Sequence, residues 1–528
     1  MIRLDRLIAG MRDPSAYPHP VARVEHIETH ISHVLLAGGY AYKLKKPLNL
    51  GFLDFSTPER RRFCCEEELR LNRRLAPQIY LGVVTITGCV ERLRVGGEGG
   101  EGEGGEVLEY AVKMRRFDQN GLLTRLPVTR SLADRIAELV AEFHATIPAV
   151  GDDIDYGTPH AILRPMLENF EQIRNHLRDR DALARLEPLE RWTRKRRDAL
   201  WSVLERRRRE GRIRECHGDM HRGNIALVNG DLIIFDGIEF NPGLRWIDTM
   251  SELSFLAMDL EEAGAIARAR RLVNRYLELT GDYGGLRVLD FYKVYRAMVR
   301  AKVTAIRLGQ SDLGRAEAAK DRDAYERYVA LAETYTRNRP KRLILTHGTS
   351  GTGKSKLAAI LRERLPLIHI RSDLERKRFF GLSAGARSGS RANEGIYSPE
   401  ASDRTYGRLR ELAEQILDAG YSPLVDATFL RVARRTPFLD LAAEKGCPCT
   451  ILELTAPEEV LRKRVREREV RGLDASEADV GVLEAQLATR ESLTDSERAL
   501  AVTIDTHRPP KLDELLRRMK VEYFSVLS

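Results

Sequence analysis

The stretch around residue 350 constrains the fold more than any other part of the sequence. Residues 348–355 match the pattern G-x-x-x-x-G-K-[ST] without a mismatch. The apolar run 343–345 before them is typical of a buried parallel strand, and residues 355–365 continue with helical spacing. A glycine-rich turn between a strand and a helix directs backbone N–H groups at a polyphosphate, and the helix N-terminus adds partial positive charge. The sequence therefore predicts a phosphate-binding loop here.

Every residue of this loop is a candidate ligand contact. The predicted nucleotide-binding residues are Gly348, Thr349, Ser350, Gly351, Thr352, Gly353, Lys354 and Ser355. Lys354 is expected to reach the β- and γ-phosphates and to act in catalysis, whereas the Ser355 hydroxyl is expected to bind Mg²⁺. Because the loop begins so late in a chain of 528 residues, it cannot account for the N-terminal part.

The length of the chain indicates more than one domain. At 528 residues, with 43% hydrophobic and 31% charged residues, the composition is that of a globular protein with enough apolar residues for a packed core. The polar segment 338–342 precedes the strand of the phosphate-binding loop. We therefore predict a boundary near residue 335, with domains at 1–335 and 336–528.

Charge and cysteine content narrow the class of protein. The net charge of +9 suits ligands that carry phosphate, and it permits nucleic acid as a partner without favouring it. The six cysteines lack the spacing of a zinc site and are interpreted as reduced core thiols. Residues 1–20 lack the apolar core of a signal peptide, and no run of about 18 apolar residues predicts a membrane span. A cytoplasmic protein is expected, and no obligate protein partner is evident.

The part of the chain after residue 335 alternates strands and helices. Five apolar runs are predicted as strands, at residues 343–345, 367–370, 423–425, 450–454 and 501–504. Helical spacing falls between them, near residues 355–364, 402–419, 431–444, 457–471 and 476–491. This alternation predicts an α/β domain with a parallel sheet of about five strands.

Two acids and two arginines are candidates for chemistry in this domain. Asp373 follows the second predicted strand and Asp426 ends the third, and the carboxyl ends of parallel strands face the ligand crevice. Asp426 is a candidate Mg²⁺ ligand through water. Arg464 and Arg468 lie four residues apart on one predicted helix face, where they could close over a triphosphate. An exposed charged helix is the alternative interpretation for the two arginines.

The N-terminal domain is predicted to contain a β-hairpin near its start. Residues 34–44 are apolar on both sides of Gly38-Gly39, a pair typical of a tight turn, and Lys43 lies inside the second run. The helical stretch 57–75 follows and carries three consecutive acids, Glu66, Glu67 and Glu68. A lysine that reaches past the sheet to solvent and a lysine paired with a helix glutamate are both open interpretations of Lys43.

Two biased segments of this domain are assigned no catalytic role. Residues 96–105 form a low-complexity run of glycine and glutamate between stretches of strand character, which predicts a flexible hairpin tip. Residues 130–210 are helical and charged, and the basic run 206–209 within them is interpreted as a solvated helix face rather than a nucleic-acid contact.

A second motif lies near residue 220. The pattern H-x-D-x-x-x-x-N occupies residues 217–224, with Asp219 and Asn224 at two of its polar positions. The next strand ends in Asp236, and a further acid, Glu239, follows. In a kinase catalytic loop of this shape, one Asp takes the hydroxyl proton, while an Asn and a strand-end Asp hold Mg²⁺. Carboxylate and amide oxygens are the hard ligands that Mg²⁺ prefers.

Residues 25–330 resemble the aminoglycoside phosphotransferase and choline kinase group, relatives of the protein kinases. The resemblance rests on residues 217–224 and 235–236, with residues 41–43 in support. It implies a bilobal protein-kinase-like fold that binds ATP. The chain departs from that group in its glycine-rich loop, which is reduced to residues 38–39.

The resemblance also implies roles for individual residues. Asp219 is the implied catalytic base, and Asn224 and Asp236 are the implied Mg²⁺ ligands. Lys43 is implied to contact the ATP phosphates. Glu68 is favoured as the partner of Lys43, with the two glutamates before it left open.

Residues 340–520 resemble the P-loop kinases of small molecules and polynucleotides, including gluconate kinase and chloramphenicol phosphotransferase. This resemblance implies that Asp373 is the base or a substrate ligand and that the helix of Arg464 is a lid. The whole chain resembles a bacterial two-domain group in which an aminoglycoside-phosphotransferase-like half is fused to a P-loop kinase. That likeness implies no particular substrate.

Together these patterns predict an ATP- and Mg²⁺-dependent phosphotransferase with two nucleotide sites. The expected acceptors are hydroxyl groups of small molecules, sugar-like or aminoglycoside-like for the N-terminal domain by resemblance. Two alternatives stay open. The C-terminal domain could phosphorylate nucleic-acid ends, or the N-terminal domain could be a non-catalytic binding module regulated by a P-loop ATPase.

Overall fold

The computed structural model describes most of the chain. The described residues are 4–49, 51, 53–89, 92–98, 106–310, 314–383, 386, 388–389, 394–471, 478–508 and 511–519. Of the predicted glycine and glutamate tip at 96–105, residues 99–105 lie outside this set, as do residues 476–477 of the last predicted helix.

The described strands are numbered in chain order. They are β1 (Val24–Glu28), β2 (Ser32–Ala37), β3 (Tyr40–Lys45), β4 (Tyr80–Cys89), β5 (Arg92–Glu98), β6 (Val107–Arg115), β7 (Ile213–Glu215), β8 (Ile225–Val228), β9 (Asp231–Ile234), β10 (Trp246–Asp248), β11 (Leu343–His347), β12 (Leu367–Arg371), β13 (Ser422–Asp426), β14 (Cys449–Thr455) and β15 (Ala501–Asp505).

The described α-helices are numbered in the same way. They are α1 (Leu4–Gly10), α2 (Pro58–Asn72), α3 (Arg130–Thr146), α4 (Pro159–His176), α5 (Arg180–Ala184), α6 (Leu186–Ala199), α7 (Trp201–Arg209), α8 (Pro242–Arg245), α9 (Thr249–Glu262), α10 (Ile266–Thr280), α11 (Leu286–Leu308), α12 (Arg315–Thr336), α13 (Lys354–Arg364), α14 (Ser372–Phe379), α15 (Pro399–Asp418), α16 (Val432–Glu444), α17 (Glu458–Arg471), α18 (Val480–Thr489), α19 (Asp495–Ala499) and α20 (Leu512–Arg518).

The chain folds into two compact units. The first unit contains Met1–Thr129, Glu142–Leu260 and Tyr292–Ala332. The second unit contains Arg130–Ala141, Glu261–Phe291 and Glu333–Ser528. The sequence did not predict that residues 130–141 and 261–291 belong to the second unit. The domain boundary near residue 335 stays a prediction.

The first unit contains a six-stranded antiparallel sheet with the order β1-β2-β3-β6-β4-β5. The predicted hairpin is confirmed, because β2 and β3 pair across Gly38, which adopts a left-handed φ of 58°. Strand β3 also pairs with β6, where Lys43 lies opposite Val112. Lys43 therefore lies in a strand that has a neighbour on each side.

Helix α2 packs against this sheet through a face that is partly polar and partly apolar. The helix starts at Pro58, because the Thr57 side chain accepts the backbone N–H of Arg60 and proline suits the first helical turn. Its buried residues recur at helical spacing and include Cys65, Glu68 and Leu71. Glu68 is thereby held on the face that meets the sheet.

A small hairpin carries the second motif of the first unit. Strands β8 and β9 pair antiparallel, and their turn contains Asn229 and Gly230 at positive φ, as this turn type requires. The loop 217–224 precedes β8, and Asp236 follows β9. The hairpin thus brings the loop 217–224 and Asp236 to the same end of its two strands.

The second unit is built on a five-stranded parallel sheet with the order β12-β13-β11-β14-β15. All five predicted strands are confirmed. Every residue of β11 is buried, as expected for a central strand covered by helices on both faces. The core joins helix to sheet through Ile344, Leu357 and Leu361, with Leu424 and Leu452 from neighbouring strands.

Helix α10 seals the edge of this sheet at β12. The Asn274 side chain donates to the Leu367 carbonyl at 3.0 Å and accepts the His369 N–H at 2.8 Å. These bonds pair backbone groups on the open edge of β12, where a further strand could otherwise add to the sheet. The sequence of α10 offered no sign of this contact.

Two interpretations from the sequence need correction. Within the basic run 206–209, Arg207 is 2% exposed and bonds Asp248 at 2.7 Å, so the run is not a uniformly solvated face. All six cysteines are free, but Cys89 is exposed, so the thiols are not all in the core. Among the described residues, no helix combines the length and the apolar character needed to cross a bilayer.

Candidate active sites

Lys43 lies between two carboxylates in the first unit. Its Nζ donates to Glu68 Oε1 at 2.8 Å and to Asp236 Oδ1 at 2.5 Å. The alternatives Glu66 and Glu67 pair with arginines on their own helix instead. The structure therefore selects the helix-paired interpretation of Lys43 and identifies Glu68 as its partner.

A second lysine, which the sequence analysis did not assign, completes this network. Lys45 lies two residues along the same strand, so its side chain leaves the same face as that of Lys43. It is fully buried and pairs with Glu68 and Glu239. The fold thus gives a place to Glu239, whose role the sequence left undefined.

The charges of this network compensate one another. Burial disfavours the charged form of Glu68, but Lys43 and Lys45 outweigh it and lower the pKa of Glu68 to about 2. Burial likewise opposes the charge on both lysines, yet the carboxylates hold their pKa above the usual range. For Glu239 burial prevails, and its pKa is raised. The first site is therefore a nearly neutral cluster before any ligand arrives.

Asp219 and Asn224 are neighbours in the loop 217–224. Asn224 Nδ2 donates to the backbone oxygen and to Oδ2 of Asp219, each at 3.0 Å. Burial disfavours the Asp219 carboxylate, but His221, at 3.4 Å, outweighs it together with His217, and the pKa of Asp219 lies well below its usual range. Asp219 is therefore ionised at neutral pH.

Buried polar side chains hold the loop 217–224 in place through hydrogen bonds to the backbone of Gly218. Gly218 donates its N–H to Glu252 Oε1 at 2.7 Å, and His144 Nε2 lies 2.9 Å from the other oxygen of Glu252. Arg296 donates to the Gly218 carbonyl at 3.0 Å. Gly218 has a φ of 87°, and a Cβ there would lie 2.8 Å from the Leu244 carbonyl oxygen, so the turn requires glycine. None of these supports was anticipated from the sequence.

Asp236 adopts an unusual backbone conformation beside Asn224. Its φ is 64°, its N–H donates to the Tyr80 hydroxyl at 3.1 Å, and Gly237 donates to Asn72 Oδ1 at 2.8 Å. A non-glycine residue at positive φ is strained and persists only where its surroundings hold it. The residue before Asp236 donates its N–H to the Asn224 carbonyl at 3.0 Å, so the two predicted metal ligands are held on adjoining segments.

The phosphate-binding loop of the second unit has the backbone that its glycines predict. Gly348, Gly351 and Gly353 have φ values of 148°, 84° and 85°. A Cβ on Gly348 would lie 2.6 Å from the Leu454 carbonyl oxygen, and a Cβ on Gly351 would lie 3.0 Å from that of Leu461. The loop therefore packs its backbone against its neighbours where a side chain cannot fit.

Lys354 is held by the loop itself. Its Nζ donates to the carbonyls of Gly348 and Thr349 at 2.9 and 2.8 Å. Within the described part of the chain, Lys354 makes no ion pair. Burial lowers the pKa of Lys354 to about 8, although Asp426 and Asp373 oppose that shift. Its charge is therefore poorly compensated without a ligand.

Asp426 lies at the end of β13 under the same loop. Its Oδ2 is 3.2 Å from His369 Nε2, and the other ring nitrogen of His369 is 3.6 Å from Glu278. Burial disfavours the Asp426 carboxylate, but His369, Arg371 and the Ser355 hydroxyl outweigh it, and its pKa is lowered to about 2. The two predicted metal ligands of this site, Ser355 and Asp426, therefore lie near one another.

The two predicted lid arginines lie over the phosphate-binding loop. Arg464 donates to the Gly351 carbonyl at 3.3 Å and to the Thr506 carbonyl at 2.7 Å. Arg468 donates to the Ala478 carbonyl at 2.5 Å. Both side chains line the same cavity as Lys354, and their action as a lid stays a prediction.

The cavity has a volume of about 450 Å³, and most of the predicted residues of the second site line it, whereas Gly348, Thr349 and Thr352 of the phosphate-binding loop do not. Asp373 lines it together with Lys354 and Ser355 of the phosphate-binding loop. The lining also includes residues to which the sequence analysis assigned no role: Arg371, Arg376, Tyr397, Ser402, Tyr406, Thr428 and Gln486. Of these, Gln486 accepts the Ser350 N–H at 2.7 Å. These residues come from several separate elements, so local sequence patterns could not group them.

The donor sets of both sites fit Mg²⁺ and a nucleotide. The first site offers the carboxylate of Asp236 and the amide oxygen of Asn224, and the second offers Asp426 and the Ser355 hydroxyl. All are hard oxygen ligands of the kind that Mg²⁺ prefers. Each site also holds a buried lysine that suits a phosphate.

Two family models match this chain. One is described as a phosphotransferase enzyme family and matches residues 65–291. The other is described as an AAA domain and matches residues 343–493. The protein-kinase-like fold and the P-loop fold predicted from the sequence are thereby confirmed.

Solved structures that resemble parts of this chain include two kinases and the protein Kti12. An amicoumacin kinase in complex with AMP-PNP, Ca²⁺ and Ami covers 62% of this chain and 93% of its own, at 13% identity and a TM-score of 0.40. A choline/ethanolamine kinase family protein of Mesorhizobium loti covers 61% and 94%, at 12% identity and a TM-score of 0.34. Kti12 of Chaetomium thermophilum, with ADP-AlF3, covers 35% and 100%, at 14% identity and a TM-score of 0.26.

Curated relatives extend over almost the whole chain. The protein Rv2004c of Mycobacterium tuberculosis is 31% identical over 487 residues, which cover 90% of this chain and 93% of the relative. The protein Mb2027c of Mycobacterium bovis matches to the same extent. The chain belongs to the same family as these mycobacterial proteins, and it joins a phosphotransferase-family domain to a P-loop kinase-like domain.

Proposed function

We propose that the protein is a cytoplasmic, ATP- and Mg²⁺-dependent phosphotransferase with two nucleotide sites, each transferring the γ-phosphoryl group to a hydroxyl of a small molecule. Sugar-like or aminoglycoside-like acceptors suit the first site. The observation that carries the proposal is the cavity of the second unit, where Lys354, Ser355, Asp373 and Asp426 meet. A cation for the phosphates, oxygens for a metal and a carboxylate for a hydroxyl proton are the parts that phosphoryl transfer needs.

In the second site the chain supplies charge and position. Lys354 donates to loop carbonyls rather than to carboxylates, so its ammonium is available to the β- and γ-phosphates. Arg464 and Arg468 face the same space and would neutralise charge on the transferring group. Asp373 would orient the acceptor hydroxyl and take its proton as the new bond forms.

In the first site the chain uses an ionised carboxylate. Asp219 is charged at neutral pH, and Asn224 fixes its orientation through Oδ2. A carboxylate of low pKa orients a hydroxyl in the ground state and accepts its proton only as the phosphoryl group is attached. Lys43, oriented by Glu68, would contact the nucleotide phosphates.

The metal would be held by Asn224 and Asp236 in the first site and by Ser355 and Asp426 in the second. When bound, Mg²⁺ supplies charge neutralisation at the β- and γ-phosphate oxygens. Asp236 is 48% exposed, so it can leave Lys43 and turn to a ligand without opening the core. Asp426 and Ser355 both line the cavity of the second site.

The proposal is tested by ATP turnover across a panel of hydroxylated compounds. Wild type is compared with Lys354→Ala and Asp219→Ala, and each variant should lose a different acceptor-stimulated activity by at least about a hundredfold. Lys445→Ala and Asp198→Ala serve as matched controls, because both side chains lie at the surface in ion pairs away from the sites.

The same panel separates the alternatives. An oligonucleotide with a free 5′-hydroxyl that accepts phosphate better than every small compound would replace the proposal with a nucleic-acid end kinase. If Asp219→Ala leaves every turnover unchanged while Lys354→Ala abolishes them, the first unit is a binding module. No acceptor-dependent turnover with any compound would contradict the proposal as a whole.

A further inference from the structure

The cavity of the second unit carries more positive charge than a nucleotide needs. Six cationic side chains line it, Lys354, Lys356, Arg371, Arg376, Arg464 and Arg468, against the two carboxylates Asp373 and Asp426. Magnesium offsets part of the charge of a nucleotide, so the bound complex cannot neutralise this whole excess. The balance leaves room for a second anion.

Four of these six cations, Lys354, Arg376, Arg464 and Arg468, lie in two places. Lys354, Arg464 and Arg468 lie at the phosphate-binding loop, since Arg464 bonds the Gly351 carbonyl and Arg468 lowers the pKa of Lys354. Arg376 lies on α14, together with the proposed base Asp373. At least one cation beyond those at the phosphate-binding loop, Arg376, therefore lies beside the proposed base.

Arg376 is the best placed of these side chains to bind an anion. The residue is 8% exposed, and its Nη1 donates to the Ile396 carbonyl at 2.6 Å and to Ser402 Oγ at 3.3 Å. Its Nε is buried without a hydrogen-bond partner, and in the described ranges it makes no ion pair. A buried guanidinium with an unsatisfied donor is costly unless an anion completes it.

The position of Arg376 on its helix determines which acceptor molecules can contact both Arg376 and the proposed base. Asp373 and Arg376 are three residues apart on α14, so they lie side by side on one face. An acceptor whose hydroxyl meets Asp373 would place a neighbouring group at Arg376. Ser402 and Tyr406 line the same side and offer hydroxyls to further polar atoms of the acceptor.

We propose that the second site phosphorylates a small hydroxylated acid, whose carboxylate or phosphate monoester binds Arg376 while its hydroxyl meets Asp373. This inference rests on the proposed function of that site. The bond between the γ-phosphorus and the bridging oxygen of ATP breaks, and a bond from the acceptor oxygen to that phosphorus forms. The hydroxyl proton passes to Asp373, and ADP leaves. Arg376 selects the acceptor through a forked, charge-assisted contact that a neutral alcohol cannot make.

The test compares matched acceptors that differ in one charged group. Glycerol, glycerate and glycerol 3-phosphate form one series, and glucose, gluconate and glucose 6-phosphate form another. Turnover is measured with the full chain, both as wild type and as Asp219→Ala to silence the first site. We expect kcat/KM for at least one acid in a series to exceed that of its neutral parent by about tenfold or more. The carboxylate and phosphate arms show which oxyanion fits.

Variants of Arg376 connect this preference to the residue. Arg376→Gln should remove the preference for the acid by raising its KM about tenfold or more, and Arg376→Lys should restore part of it. Ser402→Ala removes the neutral partner of Arg376 and should change the preference far less. Arg498→Gln, at a surface arginine paired with Asp495, should leave the preference unchanged.

A binding measurement keeps the inference falsifiable if no compound of the panel is turned over. Wild type loaded with Mg²⁺ and AMP-PNP should bind inorganic phosphate or glycerate in calorimetry, and Arg376→Gln should not. Equal turnover of acids and neutral parents, no anion binding to the loaded protein, or a preference for an oligonucleotide would each overturn the inference. If AMP-PNP itself does not bind, the proposed function of the site fails first.

Discussion

The two candidate sites hold their lysines in opposite electrostatic environments. Lys43 lies between Glu68 and Asp236, at 2.8 and 2.5 Å, and its pKa is raised. Lys354 donates only to the carbonyls of Gly348 and Thr349 among its described partners, and burial lowers its pKa to about 8. The protein neutralises the charge of Lys43 with carboxylates, whereas the charge of Lys354 has no ion-pair partner among the described residues.

This difference indicates how each site meets a nucleotide. In the first site the phosphates must compete with carboxylates that already neutralise the lysine, so binding requires a rearrangement of Asp236. In the second site an anion relieves an unfavourable charge, so binding and stability increase together.

Removing Lys45 should break the compensation of the first site. In Lys45→Met, the buried carboxylates of Glu68 and Glu239 lose their shared cation, and we expect a stability loss of about 3 to 5 kcal/mol. Thermal and urea unfolding measure the change. Lys46→Met is the control, because among the described residues Lys46 forms an ion pair only with the largely exposed Glu28, and its loss should cost less than about 1 kcal/mol. Similar losses in the two variants would contradict the compensated network.

Replacing each phosphate-contacting lysine should separate activity from stability. Lys43→Met and Lys354→Met should each raise the barrier at their own site by at least about 3 kcal/mol, a loss of a hundredfold or more. Lys43→Met should also destabilise the protein, by about 1 to 3 kcal/mol, because Glu68 and Asp236 lose a partner. Lys354→Met should leave stability unchanged or raise it. Acceptor-stimulated turnover and thermal unfolding of both variants provide the measurement, and a destabilised Lys354→Met protein would count against the account.

The lid arginines should make smaller contributions to nucleotide binding. Arg464→Gln and Arg468→Gln should each weaken binding of Mg²⁺ with AMP-PNP about tenfold, or about 1.4 kcal/mol, at the second site only. Isothermal titration calorimetry at low salt measures the affinity. Arg462→Gln, on the same helix but paired with Glu458 and Glu484 at the surface, is the matched control. If the control weakens binding as much as the lid variants, the assignment of the lid is wrong.

Acid should lower the free energy of unfolding of the protein through the protonation of Glu68. Its pKa of about 2 lies below its ordinary value, so its stabilising effect is present above about pH 4.5 and is lost as the pH falls toward 2. Glu239, whose pKa is raised, opposes this trend, so the net change should be on the order of 1 kcal/mol. We expect the stability difference between wild type and Glu68→Gln to shrink over that range in urea titrations. Glu66→Gln, in an exposed pair with Arg62, should show no such convergence.

Much of the second site could be predicted from the sequence, because its parts are local. Gly348, Lys354 and Ser355 belong to one loop, and strand ends identify Asp373 and Asp426. In the first unit, the sequence itself distinguishes Glu68 from Glu66 and Glu67 as the partner of Lys43. Cys65, Glu68 and Leu71 recur at helical spacing on the buried face, whereas Glu66 and Glu67 fall outside it.

The remaining features depend on contacts between distant segments. Lys45 and Glu239 are separated by 194 residues, and neither lies in a recognised motif. Asn274 bonds the edge of β12 from a helix whose own pattern is that of any amphipathic helix. Arg376 was visible in the sequence, but its unsatisfied Nε appears only once the fold buries it. Tertiary packing decides such features, and no window of sequence contains both partners.

The most direct test of two distinct nucleotide sites is the stoichiometry of Mg²⁺ with AMP-PNP bound to the full chain in isothermal titration calorimetry. We expect two nucleotides per wild-type chain, one in Lys43→Met, one in Lys354→Met and none in the double variant. A single nucleotide on wild type that disappears in Lys354→Met would contradict the account, because the first unit would then bind no nucleotide.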